Sequence, residues 1–171
     1  MKFYLIDDDV MVLRILENII EEAGLGEVIG ESTDSEAAIM EITIKKPDIV
    51  LIDMLMPKKD GISTVGEIKS QYPDIHFVMI SQVSTKNMIS KAYSSGIEFY
   101  INKPINKIEV VSVVQKVKEK ITLEKNFKII ENMVSGGLSE AQPKQAESQI
   151  RNIRVIFSKL GKLTKQMLND V

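Results

Sequence analysis

Short, wholly apolar runs alternate with stripes of apolar residues at spacings of three and four along residues 1–121. Phe3-Tyr4-Leu5-Ile6 is the first run and ends in Asp7, Asp8 and Asp9. Val12, Ile15, Leu16, Ile19, Ile20 and Ala23 then mark one face of a helix, which Gly24 stops by supplying a left-handed backbone residue. Val28-Ile29 predicts a second, short strand. Asp34 or Ser35 caps the next helix, through Ala37, Ala38, Ile39, Glu41 and Ile42, and Pro47 closes it. Ile49-Val50-Leu51-Ile52 is apolar at every position, as a strand buried on both faces must be. Residues 56–61 carry loop chemistry, a helix follows through Val65 and Ile68, and Pro73 lies beyond its end. Residues 75–80 predict a fourth strand, residues near 85–95 a helix ended by Gly96, and Phe99-Tyr100-Ile101 a fifth strand. A long helical pattern begins at Ile105.

Five strands alternating with five helices predict an α/β fold, a parallel sheet covered on both faces. Ligands of such sheets sit beyond the carboxyl ends of the strands. Asp7, Asp8 and Asp9 follow the first strand, Asp53 ends the third, Ser81 follows the fourth and Lys103 the fifth. Adjacent strands lie about 4.8 Å apart, so these groups can reach one small ligand. Crowded carboxylates cannot all stay ionised without a cation. Oxygen donors without sulfur or imidazole select a hard ion, Mg²⁺ first. With Lys103 as a second cation and the Ser81 hydroxyl as a donor, an aspartate there can accept a phosphoryl group, since that transfer needs mainly positioning and charge neutralisation. Taken singly each residue has a plainer role: Asp9 caps the first helix, Ser81 caps the fourth, Lys103 is a turn lysine. The ensemble carries the functional reading.

Composition narrows the classes. The 171 residues are 44% hydrophobic and 27% charged, as in folded proteins and unlike disordered ones. No cysteine is present, which excludes disulfides, thiolate metal sites and thiol nucleophiles, and His76 alone cannot build a histidine cluster or triad. The aspartates interrupt the first apolar run, so it does not read as a signal peptide, and no run approaches the roughly 20 apolar residues of a membrane span. A cytoplasmic protein with no membrane partner is expected. The net charge of −2 hides an asymmetry: residues 1–134 carry 16 basic against 21 acidic side chains, residues 135–171 carry 6 against 3.

The run Asp53-Met54-Leu55-Met56-Pro57-Lys58-Lys59-Asp60-Gly61 resembles the D-x-x-M-P-x-x-D-G signature of response-regulator receiver domains. Asp7-Asp8 upstream, Ser81 downstream and Lys103-Pro104 after the fifth strand complete that pattern. The resemblance covers residues 1–121. It implies a flavodoxin-like (βα)5 doubly wound sheet of strand order 2-1-3-4-5. It also implies that Asp53 is the phospho-acceptor fed by a sensor histidine kinase, with Lys103 and Ser81 holding the phosphoryl group. Mg²⁺ would be bound by Asp8, Asp53 and the Leu55 backbone carbonyl, with Asp7 acting through water. Tyr100 falls at the family's switch aromatic, moving with Ser81, and the Lys103–Pro104 bond would be cis. Leu55 and Val83 stand where family members place water-orienting side chains, so a long-lived phosphoryl group is expected. A signalling protein is implied, its own chemistry limited to Mg²⁺-dependent self-phosphorylation and slow self-dephosphorylation. A haloacid-dehalogenase-type phosphatase would want a second aspartate where Leu55 stands, and a flavodoxin-like nucleotide binder a Gly/Ser/Thr-rich loop in place of Asp7, Asp8 and Asp9.

Met79-Ile80-Ser81-Gln82-Val83 and Tyr100-Ile101-Asn102-Lys103-Pro104-Ile105-Asn106 further resemble the glutamine-responsive (YcbB-type) regulators of Gram-positive bacteria. Those carry a longer C-terminal DNA-binding domain, most of which a chain ending at Val171 would lack. Residues 122–171 predict a helical extension. The fifth helix continues through Leu123, Phe127, Ile130 and Val134 after a stutter, and a Gly/Pro linker lies near 135–145. A second helix over 148–171 repeats Ile150, Ile153, Phe157, Leu160, Thr164, Met167 and Val171 in heptads. A homodimer is expected, through these helices or through the face of the fourth helix, fifth strand and fifth helix, with transcription as output. The alternative is a receiver with no DNA role whose C-terminal helices bind a partner protein or RNA.

Overall fold

Alternation of side chains along each strand builds the sheet in the computed structural model, which describes residues 1–83 and 85–135, with side chains to Ile129. The elements are β1 (Lys2–Ile6), α1 (Val10–Glu22), β2 (Glu27–Ser32), α2 (Ser35–Lys45), β3 (Ile49–Asp53), α3 (Gly61–Gln71), β4 (His76–Ser81), α4 (Lys86–Ser94), β5 (Phe99–Asn102) and α5 (Lys107–Ser135). All pairings are parallel, in the order β2-β1-β3-β4-β5. The fold is the flavodoxin-like one expected. The chain divides into a unit Met1–Lys118 and a unit Glu119–Val171.

β3 and β4 are buried at every position, because helices cover both faces. Tyr4, Ile6, Val50, Ile52, Phe77 and Met79 pack on one face against Ala38 and Ile42 of α2, Val65 and Ile68 of α3 and Ala92 of α4. The intervening Phe3, Leu5, Leu51, Val78 and Ile80 point the opposite way and are equally buried. Lys107 reaches Glu22 at 2.7 Å and Lys118 donates to the Leu25 carbonyl at 2.7 Å, which sets the start of α5 beside the end of α1. Val110, Val114 and Val117 line its buried side.

Several local expectations are refined. The buried stripe of α1 is Leu13, Leu16, Ile19 and Ile20, and Ile15 is 42% exposed. Successive residues turn by about 100°, and a stripe centred one residue away from Ile15 carries it to the rim. α2 ends at Lys45 before Pro47 is reached, with Lys46 in the left-handed region at φ +47°. Asp34 alone caps α2, accepting from the Glu36 and Ala37 amides, while the Ser35 hydroxyl donates elsewhere. Thr85, not Ser81, occupies the N-cap position of α4. In the second unit, Phe127 and Ile129 are exposed on α5. The predicted linker near 135–145 and the heptad helix over 148–171 lie outside the described residues, apart from Ser135 at the end of α5.

Candidate functional site

Four of the five strands, β1, β3, β4 and β5, deliver the site's groups to the carboxyl edge of the sheet. Asp7 follows β1, with its amide donating to the Ser32 carbonyl of the neighbouring strand at 3.2 Å. Its Oδ1 accepts the Asp9 amide at 3.0 Å, and Asp9 in turn accepts the Met11 amide at 2.8 Å and caps α1. Asp53 is the last residue of β3, and its Oδ2 accepts the Leu55 amide at 3.0 Å. Ser81 ends β4, buried, its Oγ accepting the Val83 amide at 3.1 Å. The Lys103 amide donates to the Ser81 carbonyl at 2.8 Å, which places Lys103 beyond β5, and the Lys103–Pro104 peptide is cis as expected.

The Lys103 ammonium lies 2.8 Å from Asp7 Oδ2 and 3.0 Å from Asp53 Oδ1, and its side chain is only 13% exposed. One cation thus faces two buried carboxylates. Burial pushes the Asp53 carboxyl above the usual aspartate range; Lys103 opposes that shift and Asp7 adds to it. Burial pulls the Lys103 ammonium down, but the hydrogen bonds and charges of Asp7 and Asp53 outweigh it and the net direction is upward. A second cation is therefore electrostatically favoured. Carboxylate oxygens of Asp7, Asp8 and Asp53 lie within 4.8 Å of one another, and Asp8 is exposed, which leaves the trio open to solvent. An all-oxygen donor set on the rim of a wet cleft fits Mg²⁺, which retains several waters when bound.

The cleft, of about 230 Å³, is lined by Asp8, Asp9, Asp53, Leu55, Ser81, Gln82 and Lys103. Its floor is held by close backbone packing. A Cβ on Gly61 would stand 2.1 Å from the Asp53 carbonyl oxygen, so only glycine lets α3 begin where Asp60 caps it, accepting the Ser63 amide at 2.9 Å. The loop between is tied to α2 by the Ser35 hydroxyl donating to the Lys59 carbonyl at 2.8 Å and by Lys58–Asp34 at 2.9 Å. Tyr100 on β5 donates its hydroxyl hydrogen bond to the Val83 carbonyl.

The candidate groups named from sequence meet here: Asp8, Asp53, Leu55, Ser81 and Lys103 line one opening, Asp7 joins them from beneath through Lys103 and the acidic trio, and Tyr100 is one residue removed through Val83. Sequence reasoning passed over Gln82 as a cleft residue and Gly61 as the point of closest backbone approach. The glycine after Asp60 was the available signal for the second; the first had none, since an exposed glutamine in a loop is ordinary.

This chain belongs to the response-regulator receiver family: the model of the response regulator receiver domain matches residues 3–115. It is 45% identical over 150 residues to the transcriptional regulatory protein GlnL of Bacillus subtilis, an alignment that covers 87% of this chain and 48% of GlnL. It therefore spans about half of that relative's length. The chemotaxis protein CheY of Thermotoga maritima is 32% identical over 115 residues, 67% of this chain and 95% of CheY. Among solved structures, the receiver domain of AraT, a response regulator from Geobacillus stearothermophilus, superimposes with a TM-score of 0.67 at 25% identity, covering 72% of this chain and 97% of that one. The chain is a homologue of two-component signalling proteins.

Proposed function

We propose that this protein is a phosphorylation-activated switch in which Asp53 accepts a phosphoryl group from a sensor histidine kinase. The observation that carries the reading is Lys103, partly buried between Asp7 and Asp53 with Asp8 open beside them. Lys103 is already in place to neutralise phosphoryl oxygens that arrive on Asp53, and the Ser81 hydroxyl, which among the described residues only accepts, keeps its proton to donate to them. Asp8, Asp53 and the Leu55 carbonyl would hold Mg²⁺, with Asp7 through water; the ion would supply charge neutralisation for the incoming phosphoryl group. Asp53 provides the oxygen nucleophile, and Lys103 offsets part of the cost of burying its charge. The chemistry proposed for these residues is the uptake and slow release of this group.

The output follows from the same geometry. An aspartyl phosphate adds charge and three strong acceptors, and Ser81 turning toward it alters the loop that Tyr100 also holds. The α4-β5-α5 face is then reshaped. Residues 1–121 make up the receiver, and Phe127, exposed on the part of α5 beyond them, favours pairing with a second copy. Transcriptional output through DNA is proposed by likeness to GlnL. No described helix is long and apolar enough to cross a membrane, and a cytoplasmic site of action is proposed by likeness to the receiver family.

The test is light scattering on a sizing column, with and without Mg²⁺ plus beryllofluoride, for wild type and Asp53→Ala. A shift from monomer to dimer in wild type alone is expected. No beryllofluoride response in wild type would overturn the assignment of Asp53, and a dimer under every condition would overturn phosphorylation-driven assembly.

A further inference from the structure

The cleft beside Asp53 contains a side chain that the acceptor chemistry leaves unused. Gln82 follows Ser81 directly, is exposed, and lines the same opening as Asp8, Asp53, Leu55 and Lys103. The other polar groups there, Asp8 apart, have protein partners. Lys103 bridges Asp7 and Asp53, Ser81 accepts from Val83, Asp9 caps α1, and Asp8 belongs to the acidic trio. The Gln82 carboxamide has no hydrogen-bond partner among the described residues.

We propose that Gln82 is a positioning residue for loss of the phosphoryl group, holding the water that attacks the Asp53 phosphate. The proposal rests on the reading of Asp53 as acceptor. Hydrolysis requires a water in line with the bond from phosphorus to the Asp53 oxygen, on the open side of the cleft. Such a water needs a hydrogen-bond acceptor to aim its lone pair. The Lys103 ammonium has donors only, and the side chains of Leu55 and Val83 have neither donor nor acceptor. The Asp8 carboxylate can accept, but it is held to the cation that the acidic trio attracts. The Gln82 carboxamide has an acceptor oxygen for the water.

In the step itself the water oxygen forms a bond to phosphorus, and the bond to the Asp53 oxygen breaks. Its electron pair returns to the carboxylate, and the proton lost by the water passes to solvent or to the orthophosphate produced. Gln82 takes no proton, because a carboxamide is not a base at neutral pH. Its contribution is orientation alone, so its loss slows hydrolysis without abolishing it.

The test loads the full chain with acetyl phosphate and Mg²⁺, removes the donor and follows the phosphoprotein by intact mass. Gln82→Leu keeps the size of the side chain and removes its hydrogen bonds; Gln82→Glu keeps an acceptor. Leucine is expected to slow the loss about three- to tenfold, the scale of one neutral hydrogen bond. Glutamate is expected to restore the rate to within about twofold of wild type, an acceptor being what the water needs. Melting temperature and beryllofluoride affinity, measured alongside, separate a folding or loading defect from a change in hydrolysis. Wild-type or faster loss in Gln82→Leu overturns the proposal, as does loss from Gln82→Glu that is as slow as from Gln82→Leu. If wild type loads at Asp53 and only these comparisons fail, the acceptor reading stands. If wild type takes no phosphoryl group at Asp53, both fall.

Discussion

Ser81 and Tyr100, on adjacent strands, hold opposite ends of one residue: Ser81 Oγ accepts the Val83 amide and the Tyr100 hydroxyl donates to the Val83 carbonyl. The β4-β5 pairing, Met79 beside Tyr100 and Ser81 beside Asn102, brings this about. Any pull on the Ser81 hydroxyl is therefore felt at the residue that Tyr100 holds. Tyr100→Phe removes the hydroxyl and keeps the ring. We expect it to weaken beryllofluoride-dependent self-association by about 1 kcal/mol, roughly fivefold in the equilibrium. Light scattering against wild type at matched concentration checks this, and an unchanged mass shift would remove Tyr100 from the relay.

Replacing Lys103 by Met leaves the buried carboxylates of Asp7 and Asp53 facing each other without their cation. Breaking a buried ion pair in this way costs about 3–5 kcal/mol. Urea unfolding at pH 7 is expected to register a loss of that order. Millimolar Mg²⁺ should return part of it by supplying another cation to the same carboxylates, and a deficit untouched by Mg²⁺ would argue against a shared site.

Asp53 gives the wild type a specific pH signature. Its carboxyl is raised in the folded state, chiefly by burial. Between the ordinary aspartate range, about 4, and the raised value, the folded protein holds a proton that the unfolded chain has released. Raising pH through that window therefore lowers stability. Asp53→Asn lacks this penalty, so its melting temperature should exceed that of wild type at pH 7, with the gap closing as pH falls below the window. Added Mg²⁺ should stabilise wild type and leave Asp53→Asn nearly unaffected. Parallel melting curves for the two, or a gap widening in acid, would contradict the assignment.

Leu55 and Val83 bear on the lifetime of the phosphoryl group. Leu55 lines the cleft and is half exposed, and Val83 lies two residues beyond Ser81. Neither orients water. The double substitution Leu55→Asn, Val83→Glu should speed dephosphorylation at least about tenfold, short of the roughly 10²–10⁴ that a fully positioned acid-base group contributes. Decay of the acetyl-phosphate-loaded protein measures it, and an unchanged half-life would leave the lifetime to other groups.

Much of this molecule is legible one residue at a time. Apolar runs of four to six residues can only be buried strands when helix-period stripes separate them, and parallel strands put every carboxyl end on one edge. Asp7, Asp8, Asp53, Ser81 and Lys103 could thus be collected into one site from their order in the chain. The cap at Asp9 and the stop at Gly24 are local events between near neighbours, visible for the same reason.

Tertiary packing decided the rest. Whether α1 buries Leu13 or Ile15 depends on the angle at which the helix meets the sheet, which period alone leaves free by one residue. That one lysine neutralises both Asp7 and Asp53, that Gly61 is pressed against the Asp53 carbonyl, and that Gln82 opens onto the same cleft are distances between segments far apart in sequence. The amino-acid sequence determined which groups stand at the strand ends, because strand and helix periods are properties of neighbours. Only the folded chain determined which of those groups touch, because burial and charge neutralisation act through space.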